Sequence, residues 1–312
     1  TAASTNRPYG TVNPVFGVIY GGFVPGDDAS VLDTPPTVTT TVGLLADSGV
    51  YPASIVPAGA SDENYSFNYA SGTLTVTAAS QAINFSAIPS KVFGDPNFTL
   101  SALAGSGLPI SFTSSNTNVA TVDLSGLVTI RGAGTTDIVA SQSGGGGYDA
   151  ATPVTNSLVV SKASLPAVAW APPLSLVFDN NAKPHTATAS GLSGFSYLYT
   201  GKSPTIYSSP NAPVNVGTYT VTATSTDSNF IGSQSLDFSI TKATPAITLA
   251  PTASPISYGQ SLAASSLTGG GASVPGSFAF LTPSTQPAVG TVPQAVMFTP
   301  DDTANYTTAQ TT

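Results

Sequence analysis

Apolar residues alternate with Ser and Thr over short runs of the chain, as they do in β-strands that are buried on one face. The alternation is clearest in Thr73–Val76 and Tyr219–Ala223. Successive side chains of a strand point to opposite faces of its sheet, so one face of each run is apolar while the other carries hydroxyl groups. The pattern therefore predicts sheets that have one face on a core and one face in solvent.

The segment 80–162 shows the strand pattern most completely. Its strands are rich in Thr, Val and Ile and are bounded by Gly, Pro, Ser or Asn, which favour turns. The seven predicted strands are Ile83–Ser86, Phe98–Ala102, Ile110–Thr113, Val119–Val122, Val128–Arg131, Thr135–Ser141 and Ser157–Val160. Seven short strands in about 80 residues are typical of an immunoglobulin-like sandwich.

Three short markers recur in the same order four times, with a period near 80 residues. The linker marker is TAAS, SKAS or TKAT, at Thr1–Ser4, Thr77–Ser80, Ser161–Ser164 and Thr241–Thr244. The first aromatic marker stands before Gly or Asp, at Tyr9, Phe93, Phe178 and Tyr258. The second aromatic marker follows Asn or Gly, at Tyr65, Tyr148, Phe230 and Tyr306. A fixed period of this kind indicates an array of one repeated unit.

The markers predict an all-β chain of four tandem immunoglobulin-like β-sandwich domains in an elongated rod. We name them repeat 1 (1–79), repeat 2 (80–162), repeat 3 (163–242) and repeat 4 (243–312). The borders are expected within a few residues of Ser80, Ala163 and Ala243. The linkers between repeats are short and lie close to Pro residues, which limits bending.

The end of repeat 4 differs from the ends of the other repeats. Repeats 1 to 3 each finish with an apolar closing strand, at Thr73–Val76, Ser157–Val160 and Leu236–Ile240. Repeat 4 has only six residues after Tyr306, so we expect it to lack this strand. An open sandwich exposes unpaired backbone groups. We therefore expect an edge that is unpaired within the chain, formed by Ala309, Gln310, Thr311 and Thr312.

Two explanations of this edge stay open. The chain is either a window cut from a longer array, or a strand from a neighbouring chain completes repeat 4 and builds a head-to-tail filament. The edge is accordingly a candidate for array continuation or for contact between subunits.

Several segments resemble known repeat families. Repeat 1 contains Tyr9-Gly10, Asn13-Pro14, Gly26-Asp27-Asp28, Asn64-Tyr65 and Gly72-Thr73-Leu74-Thr75-Val76. It resembles an MBG-type repeat of the YGX variety. The later repeats resemble bacterial immunoglobulin-like repeats, for instance in Gly107-Leu108-Pro109 and Gly132-Ala133-Gly134-Thr135-Thr136, and repeat 3 has both characters. The resemblance covers essentially the whole chain. It implies tandem arrays in very large secreted or surface-attached bacterial proteins, and it transfers no catalytic residues.

Composition excludes several classes of function. Seven Lys and Arg residues face fifteen Asp and Glu residues, giving a net charge of −8, whereas binding to nucleic acid needs clustered cations. No run of 18 apolar residues is present, so no membrane-spanning segment is predicted. The absence of Cys excludes disulfides and Cys-ligated zinc. Strong helix formers are scarce, so we expect helix in less than about a tenth of the residues.

Candidate catalytic and metal-binding residues are few. His185 is the only His, and acid–base or nucleophilic catalysis usually needs a tunable His, a Glu pair or a Cys. We interpret His185 as an ordinary residue at a solvated strand start. The acidic clusters Asp27-Asp28, Asp62-Glu63 and Asp301-Asp302 lack the alternating spacing of a calcium loop. No catalytic residue, metal site or cofactor is therefore predicted.

Recurring aromatic and apolar positions are interpreted mainly as core. Phe85, Trp170 and Leu249 stand eight or nine residues before a first aromatic marker, which predicts burial on the first strand of each repeat. Tyr51 and Tyr219 resemble the tyrosine corner of sandwiches. The alternative for the less regular tyrosines is an exposed strip that stacks on a glycan, at Tyr197, Tyr199 and Tyr207.

The sequence favours a non-enzymatic structural array that forms an extracellular fibre, filament or adhesin stalk on a bacterial surface. One alternative is a carbohydrate- or protein-binding adhesin module, and another is a filament subunit that polymerises head-to-tail by β-strand addition. The expected partners are neighbouring repeats, copies of the chain itself, or host or environmental glycans. The expected location is secreted, at the cell surface.

Overall fold

The computed structural model describes all 312 residues, and the chain is built from β-strands and loops. Its only helical segments are two 3₁₀ turns of three residues each, at Ala29–Val31 and Leu262–Ala264. Neither turn has the length or the apolar character needed to cross a membrane. The all-β prediction and the expectation of almost no helix are confirmed.

The chain forms two compact units, and the first is Thr1–Ser161. Its strands are β1 (Thr5–Pro8), β2 (Thr37–Thr39), β3 (Gly49–Ala58), β4 (Gly72–Thr77), β5 (Ile83–Phe85), β6 (Lys91–Val92), β7 (Phe98–Thr99), β8 (Ala102–Ala104), β9 (Ser111–Ser114), β10 (Ala120–Val122), β11 (Leu127–Ile130), β12 (Gly134–Gln142) and β13 (Ala151–Ser161). Two four-stranded sheets dominate, with the orders β1-β4-β3-β2 and β6-β13-β12-β9. The closing strands β4 and β13 are each parallel to one neighbour and antiparallel to the other.

All seven strands predicted in repeat 2 correspond to strands of the structure. The sequence missed two short strands. Strand β6 has two residues, which pair in parallel with Val160 and Ser161. Strand β8 pairs with β5, whereas the prediction joined its first residue, Ala102, to β7, which pairs with β11.

Buried residues from the three sheets of repeat 2 form one apolar cluster that extends from Ile83 to Val160. A separate buried cluster in repeat 1 contains Ile55, Leu74 and Val76. Alternate residues of β4 and of the ends of β12 and β13 supply much of these cores, as the period of two predicts.

The second compact unit is Lys162–Thr312. Its strands are β14 (Ala163–Ser164), β15 (Ala169–Ala171), β16 (Thr186–Thr188), β17 (Phe195–Gly201), β18 (Ser208–Ser209), β19 (Gly217–Ser225), β20 (Phe230–Ile231), β21 (Ser233–Ile240), β22 (Ile247–Leu249), β23 (Thr252–Ala253), β24 (Leu267–Thr268), β25 (Gly271–Ala272), β26 (Gly276–Phe280), β27 (Val296–Pro300) and β28 (Ala309–Thr311). The largest sheet has the order β18-β17-β19-β21, and a smaller one has the order β26-β27-β28.

The borders of the four repeats stay predictions. The predicted border near Ala163 lies within two residues of the boundary between the two compact units. The further division of each unit into two repeats stays a prediction.

The expectation that the edge at Ala309–Thr312 is unpaired within the chain is wrong. Strand β28 pairs antiparallel with β27, so that Thr311 lies opposite Val296 and Ala309 opposite Phe298. Only three residues pair, whereas β21 has eight residues and β13 has eleven. A three-residue strand therefore forms the edge of the sheet in repeat 4. The role of this edge in contacts between subunits stays a prediction.

Candidate functional site

His185 lies in the core of the second unit, so the interpretation of a solvated strand start is wrong. Its exposed fraction is 2%, and its ring centroid is 4.1 Å from that of Phe238. The backbone N–H of His185 donates to the hydroxyl of Tyr199 at 3.1 Å. Burial lowers the pKa of the His185 imidazole, because the core disfavours its charged form. A buried ring packed on an aromatic neighbour has a structural role.

Asp28 and Asp302, which belong to two of the acidic clusters, close local turns. Asp28 Oδ1 accepts hydrogen bonds from the backbone N–H and the hydroxyl of Ser30, at 2.8 and 2.6 Å, which lowers the pKa of that carboxyl group. Asp302 accepts from the backbone N–H of Asn305 at 3.1 Å and from its side-chain amide at 2.9 Å. No three His, Asp or Glu side chains come together in the structure. These carboxylates are thus used within their own loops.

A short β-bridge joins each of the last three linker markers to the second aromatic marker that follows it in the sequence. The backbone N–H of Ala79 donates to the carbonyl of Gly147 at 2.9 Å, and the N–H of Asp149 donates back to the Ala79 carbonyl at 2.9 Å. At the last linker marker the N–H of Ala243 donates to the Asn305 carbonyl at 3.0 Å, and the N–H of Thr307 donates back to the Ala243 carbonyl at 2.8 Å. At the marker between them the N–H of Ala163 donates to the Asn229 carbonyl and the N–H of Leu165 to the Ile231 carbonyl, at 2.9 Å each. All three bridges are parallel.

An aromatic contact accompanies the bridge within each compact unit. Tyr9 of repeat 1 meets Tyr148 of repeat 2 edge to face, with ring centroids 5.2 Å apart and an angle of 64°. Phe178 of repeat 3 meets Tyr306 of repeat 4 in the same way, at 5.3 Å and 86°. Such pairs contribute about 0.5–1.5 kcal/mol beyond the area that they bury. Together with the backbone bonds, each pair holds two successive repeats at their linker.

The first linker marker does not form this bridge. Ala2 is buried in the core of repeat 1, and its backbone N–H donates to the Ala70 carbonyl at 2.9 Å. The N–H of Ala3 donates to the Gly17 carbonyl, also at 2.9 Å. The sequence match of Thr1–Ser4 to the later linkers is therefore wrong as a structural equivalence.

Tyr51 and Tyr219 occupy the tyrosine-corner position, as predicted. The Tyr51 hydroxyl donates to the Asp47 carbonyl and the Tyr219 hydroxyl to the Asn215 carbonyl, both at 2.7 Å. In each case the acceptor lies four residues upstream, which ties the start of the strand to the loop before it.

The predicted strip of Tyr197, Tyr199 and Tyr207 is not a surface feature. Tyr199 is 3% exposed, and the other two pack against the core of the second unit. The Tyr197 hydroxyl accepts from the Ala187 N–H at 2.8 Å, and the Tyr207 hydroxyl donates to the Asn211 carbonyl at 2.8 Å. The glycan interpretation of these three residues is therefore wrong.

The recurring residues before the first aromatic marker differ in burial. Phe85 is buried, and Trp170 is half-buried against its core. Leu249 is 64% exposed, contrary to the prediction.

The exposed aromatic residues that sequence reasoning missed lie in repeat 1. A groove of about 250 Å³ is lined by five aromatic side chains: Tyr20, Phe23, Tyr65, Phe67 and Tyr69. We call it the aromatic groove. Phe67 and Tyr69 are stacked, with an angle of 13° between the rings, and Phe23 meets Tyr65 edge to face at 5.3 Å. The five residues lie in two sequence segments, 20–23 and 65–69. Tyr65, Phe67 and Tyr69 alternate along the second segment, but no local spacing links it to the first.

Hydrogen bonds fix the rings of the aromatic groove. The Tyr65 hydroxyl donates to Asp27 Oδ2 at 2.7 Å, and this bond raises the pKa of the phenol. The Tyr69 hydroxyl accepts from the Ala60 N–H at 2.8 Å. Aromatic rings beside a few fixed polar groups are typical of binding pockets.

Comparison with known proteins identifies the repeats. Residues 1–75 match the family model "MBG domain (YGX type)", residues 98–144 match "Intimin, immunoglobulin-like domain", and residues 172–244 match "MBG domain". No curated protein matches the chain.

Among solved structures, the chain is similar to "Sidekick-1 immunoglobulin domains 1-5", with 15% identity and a TM-score of 0.29. The match covers 69% of this chain and 52% of that structure, so the chain spans about half of its length. The three family matches follow one another along the sequence in the order of the predicted repeats. The chain therefore carries MBG-type and immunoglobulin-like repeats in tandem.

Proposed function

We propose that the chain is a non-enzymatic structural array that serves as a stalk on a bacterial cell surface. The observation that carries this proposal is the repeated bridge at the three linkers, which has the same parallel pairing each time. Within the first unit the two backbone bonds of Ala79 and the Tyr9–Tyr148 ring pair join repeat 1 to repeat 2, and within the second unit the Phe178–Tyr306 ring pair joins repeat 3 to repeat 4. These contacts restrict rotation between the two repeats of each compact unit. A restricted linker is what a stalk requires, whereas a flexible one would let the array fold back on itself.

The chemistry of the buried groups agrees with a passive role. The single His is packed in a core, and the carboxylates of Asp28 and Asp302 serve their own turns. The matched families are MBG and immunoglobulin-like repeats, which are generally non-catalytic and typical of surface proteins.

Labelling of intact cells tests the proposed location. Antibodies raised against this chain should bind to unbroken cells of the source organism, and a protease added outside should remove that signal. Signal that appears only after lysis would overturn the surface assignment.

Amide exchange tests the stalk function directly. In the isolated chain, the N–H groups of Ala79, Ala163 and Ala243 should exchange as slowly as those of the neighbouring strands. Fast exchange at all three would show that the linkers are mobile and would overturn the stalk.

The aromatic groove favours a second candidate function, binding of a carbohydrate. Sugar rings present C–H faces that stack on aromatic side chains, and the hydroxyls of Tyr65 and Tyr69 stand at the groove with their partners fixed. Tyr20 and Tyr69 are each about 40% exposed, so their rings are accessible to a ligand.

A glycan array tests this candidate. The wild-type chain should bind a set of glycans, and the variant Tyr20→Ala should lose about five- to thirtyfold in affinity, as expected when one ring contact of about 1–2 kcal/mol is removed. Tyr258→Ala is the matched control, because Tyr258 is an exposed tyrosine outside the groove. Absence of binding, or equal loss in both variants, would contradict this candidate.

A further inference from the structure

The aromatic groove of repeat 1 has one wall formed by rings at alternate positions of the chain. Tyr65, Phe67 and Tyr69 all line the groove, and one residue separates each from the next. The rings of Phe67 and Tyr69 are nearly parallel, with an angle of 13° and centroids 6.3 Å apart. Phe67 is half-buried and Tyr69 is 41% exposed. This wall therefore offers accessible ring surface to a ligand.

The tyrosine hydroxyls at the groove already have partners within the chain. The Tyr65 hydroxyl donates to Asp27 Oδ2 at 2.7 Å and accepts from the Val24 N–H at 3.3 Å. The Tyr69 hydroxyl accepts from the Ala60 N–H at 2.8 Å. Hydroxyls that are bonded in this way hold the rings in place but have little capacity left for the hydroxyls of a ligand. Ring surface is thus the larger part of what the groove presents.

Positive charge is scarce in repeat 1. The repeat contains six Asp and Glu residues but only one Lys or Arg, which is Arg7. Arg7 is 3% exposed, and its Nε donates to Asn13 Oδ1 at 2.5 Å while its Nη1 donates to the Leu44 carbonyl at 3.2 Å. No Lys, Arg or His side chain lines the groove. The one basic side chain of the repeat is therefore buried and bonded to an amide and to carbonyl groups rather than to a carboxylate.

Two carboxylates act directly on the groove. The hydrogen bond to Asp27 raises the pKa of the Tyr65 phenol most, and the negative charges of Asp27 and Asp62 raise this pKa further. Each of these two carboxylates has a second acidic residue beside it in the sequence. The terminal amino group of Thr1, which also borders the groove, donates to the Ile19 carbonyl at 2.9 Å. Four carboxylates against one amino group give the groove negative surroundings.

Ring surface next to carboxylates favours a cationic ligand. A cation that lies over an aromatic ring is attracted by the negative face of the ring, and a nearby carboxylate adds a Coulomb attraction. An acidic sugar would be repelled by the same carboxylates, and a neutral sugar would gain neither attraction. Among carbohydrates, this combination selects those that carry an amino group in its protonated form.

We infer that the aromatic groove binds amino sugars with a protonated amino group in preference to neutral and acidic sugars. The C–H face of the sugar lies on the rings of Phe67 and Tyr69, and the ammonium group lies beside Tyr65 on the side of Asp27. The inference rests on the carbohydrate-binding candidate above and narrows its class of ligand. A basic peptide carries the same ammonium charge but has no flat C–H face for the parallel rings, so it is the alternative ligand in the test.

A matched pair of ligands tests the inference. Calorimetric titration of the full chain uses glucosamine oligomers and N-acetylglucosamine oligomers of equal length, at a mildly acidic pH at which the free amine is protonated and Asp remains ionised. Acetylation removes the charge and leaves the sugar ring in place. The glucosamine oligomer should bind at least about tenfold more tightly. This difference should shrink at high salt, because salt screens exposed charges.

The variant Asp27→Asn tests the contribution of the carboxylate. The amide oxygen can still accept the Tyr65 hydroxyl, so the ring stays in place while the charge is removed. Affinity for the glucosamine oligomer should fall about threefold, and affinity for the acetylated oligomer should not change. Asp47→Asn is the matched control, because Asp47 is an exposed carboxylate of the same repeat that does not line the groove. It should leave both affinities unchanged.

The variant Phe67→Leu tests the contribution of the ring surface. Leu keeps an apolar side chain at this position but has no aromatic face, so affinity for the glucosamine oligomer should fall at least about threefold. Tyr258→Leu removes an exposed ring outside the groove and should leave the affinity unchanged.

Four outcomes would overturn the inference, and they separate it from the function on which it rests. Equal affinity for the two oligomers would show that the amino group is not recognised, and it would leave the carbohydrate candidate intact. Tighter binding of a lysine oligomer, with the same loss in Asp27→Asn, would make a basic peptide the ligand. Equal losses in Asp27→Asn and Asp47→Asn would reduce the effect to general attraction by an acidic chain. Binding of no sugar on the glycan array would remove the carbohydrate candidate together with this inference.

Discussion

The junction inside the first compact unit and the junction inside the second reach one geometry by different chemistry. The ring pairs Tyr9–Tyr148 and Phe178–Tyr306 have nearly equal centroid distances, 5.2 and 5.3 Å. Both pairs lie beside a parallel bridge from a linker alanine. The two junctions differ in the residue that precedes the second aromatic marker, which is Gly147 in one and Asn305 in the other.

Gly147 acts through shape, whereas Asn305 acts through hydrogen bonds. A Cβ at Gly147 would overlap the Tyr9 ring, so the ring lies directly on the backbone there. Asn305 Oδ1 accepts from the Val216 N–H at 2.9 Å, and its Nδ2 donates to Asp302 Oδ2 at 2.9 Å. The ring pair and the bridge are therefore the common parts of a junction, and the preceding position is where junctions differ.

The largest effect is expected from Gly147→Ala. The new Cβ would meet the Tyr9 ring, and the residue has φ +94°, which an L side chain rarely adopts. Overpacking and backbone strain together should lower the free energy of unfolding of the first unit by about 3 kcal/mol. Amide exchange at Ala79, measured in the full chain, should become faster, while exchange at Ala243 should not change.

Gly146→Ala is the matched control for this variant. Gly146 also has a positive φ, +56°, but a Cβ there would meet nothing within 4 Å. Only the left-handed backbone is then penalised, at about 1 kcal/mol. If both variants lower the free energy of unfolding equally, the contact with Tyr9 does not contribute to the effect of Gly147→Ala.

Removal of the second aromatic ring should have the next largest effect in both units. Tyr148→Ala and Tyr306→Ala each lose a half-buried ring and its aromatic partner, so each should cost about 2 kcal/mol. The measured quantity is the protection of the linker amides of Ala79 and Ala243. Tyr306→Phe keeps the ring and should stay within about 0.5 kcal/mol of the wild type. A loss in one unit only would break the equivalence of the two junctions.

Asn305→Ala should weaken the second junction by about 1–1.5 kcal/mol, because the Val216 N–H loses its acceptor. Protection of the Val216 amide is the direct measurement. Asn215→Ala is the control, since its side chain makes only a long contact of 3.5 Å with the same Nδ2. If the control loses as much as Asn305→Ala, the bond to Val216 is not what holds the loop.

The alternation and spacing of residues were sufficient to predict features that depend on neighbours in sequence, such as strands and tyrosine corners. The strands of repeat 2 follow from alternation that ends at Gly, Pro or Asn. The tyrosine corners follow from a tyrosine two residues after a strand-opening Gly, at Gly49 and Gly217. The two-residue strand β6 was not predicted, because so short a segment shows no alternation. It is a strand only because it pairs in parallel with β13.

Burial was harder to predict, because it depends on residues far away in the sequence. Tyr258 resembles Phe178 in sequence, yet one is exposed and the other buried, according to whether a strand lies beside it. His185 follows a polar segment, yet its side chain is buried in the core. There its ring packs on the ring of Phe238, which belongs to a strand distant in sequence. The aromatic groove combines residues from two separate segments, which no local spacing brings together.

The smallest effect concerns pH, and it separates the two compact units. Burial lowers the pKa of His185, so the folded second unit binds this proton less readily than the unfolded chain. Above the usual His pKa of about 6.5 the ring is neutral in both states, and the stability is complete. As the pH falls through that value the unfolded state gains a proton that the fold excludes, so the second unit loses stability. The first unit contains no His, so its stability should not change over the same pH interval.

Amide exchange at Val221 and Ile138 reports the stability of the two units in one sample, once it is corrected for the intrinsic effect of pH on exchange. Both residues are fully buried, Val221 in the second unit and Ile138 in the first. Protection at Val221 should fall between about pH 7.5 and about pH 5.5, above the range in which carboxyl groups normally titrate. The variant His185→Gln should remove this fall, because its side chain does not titrate. A parallel fall at Ile138 would mean that some group other than His185 is responsible.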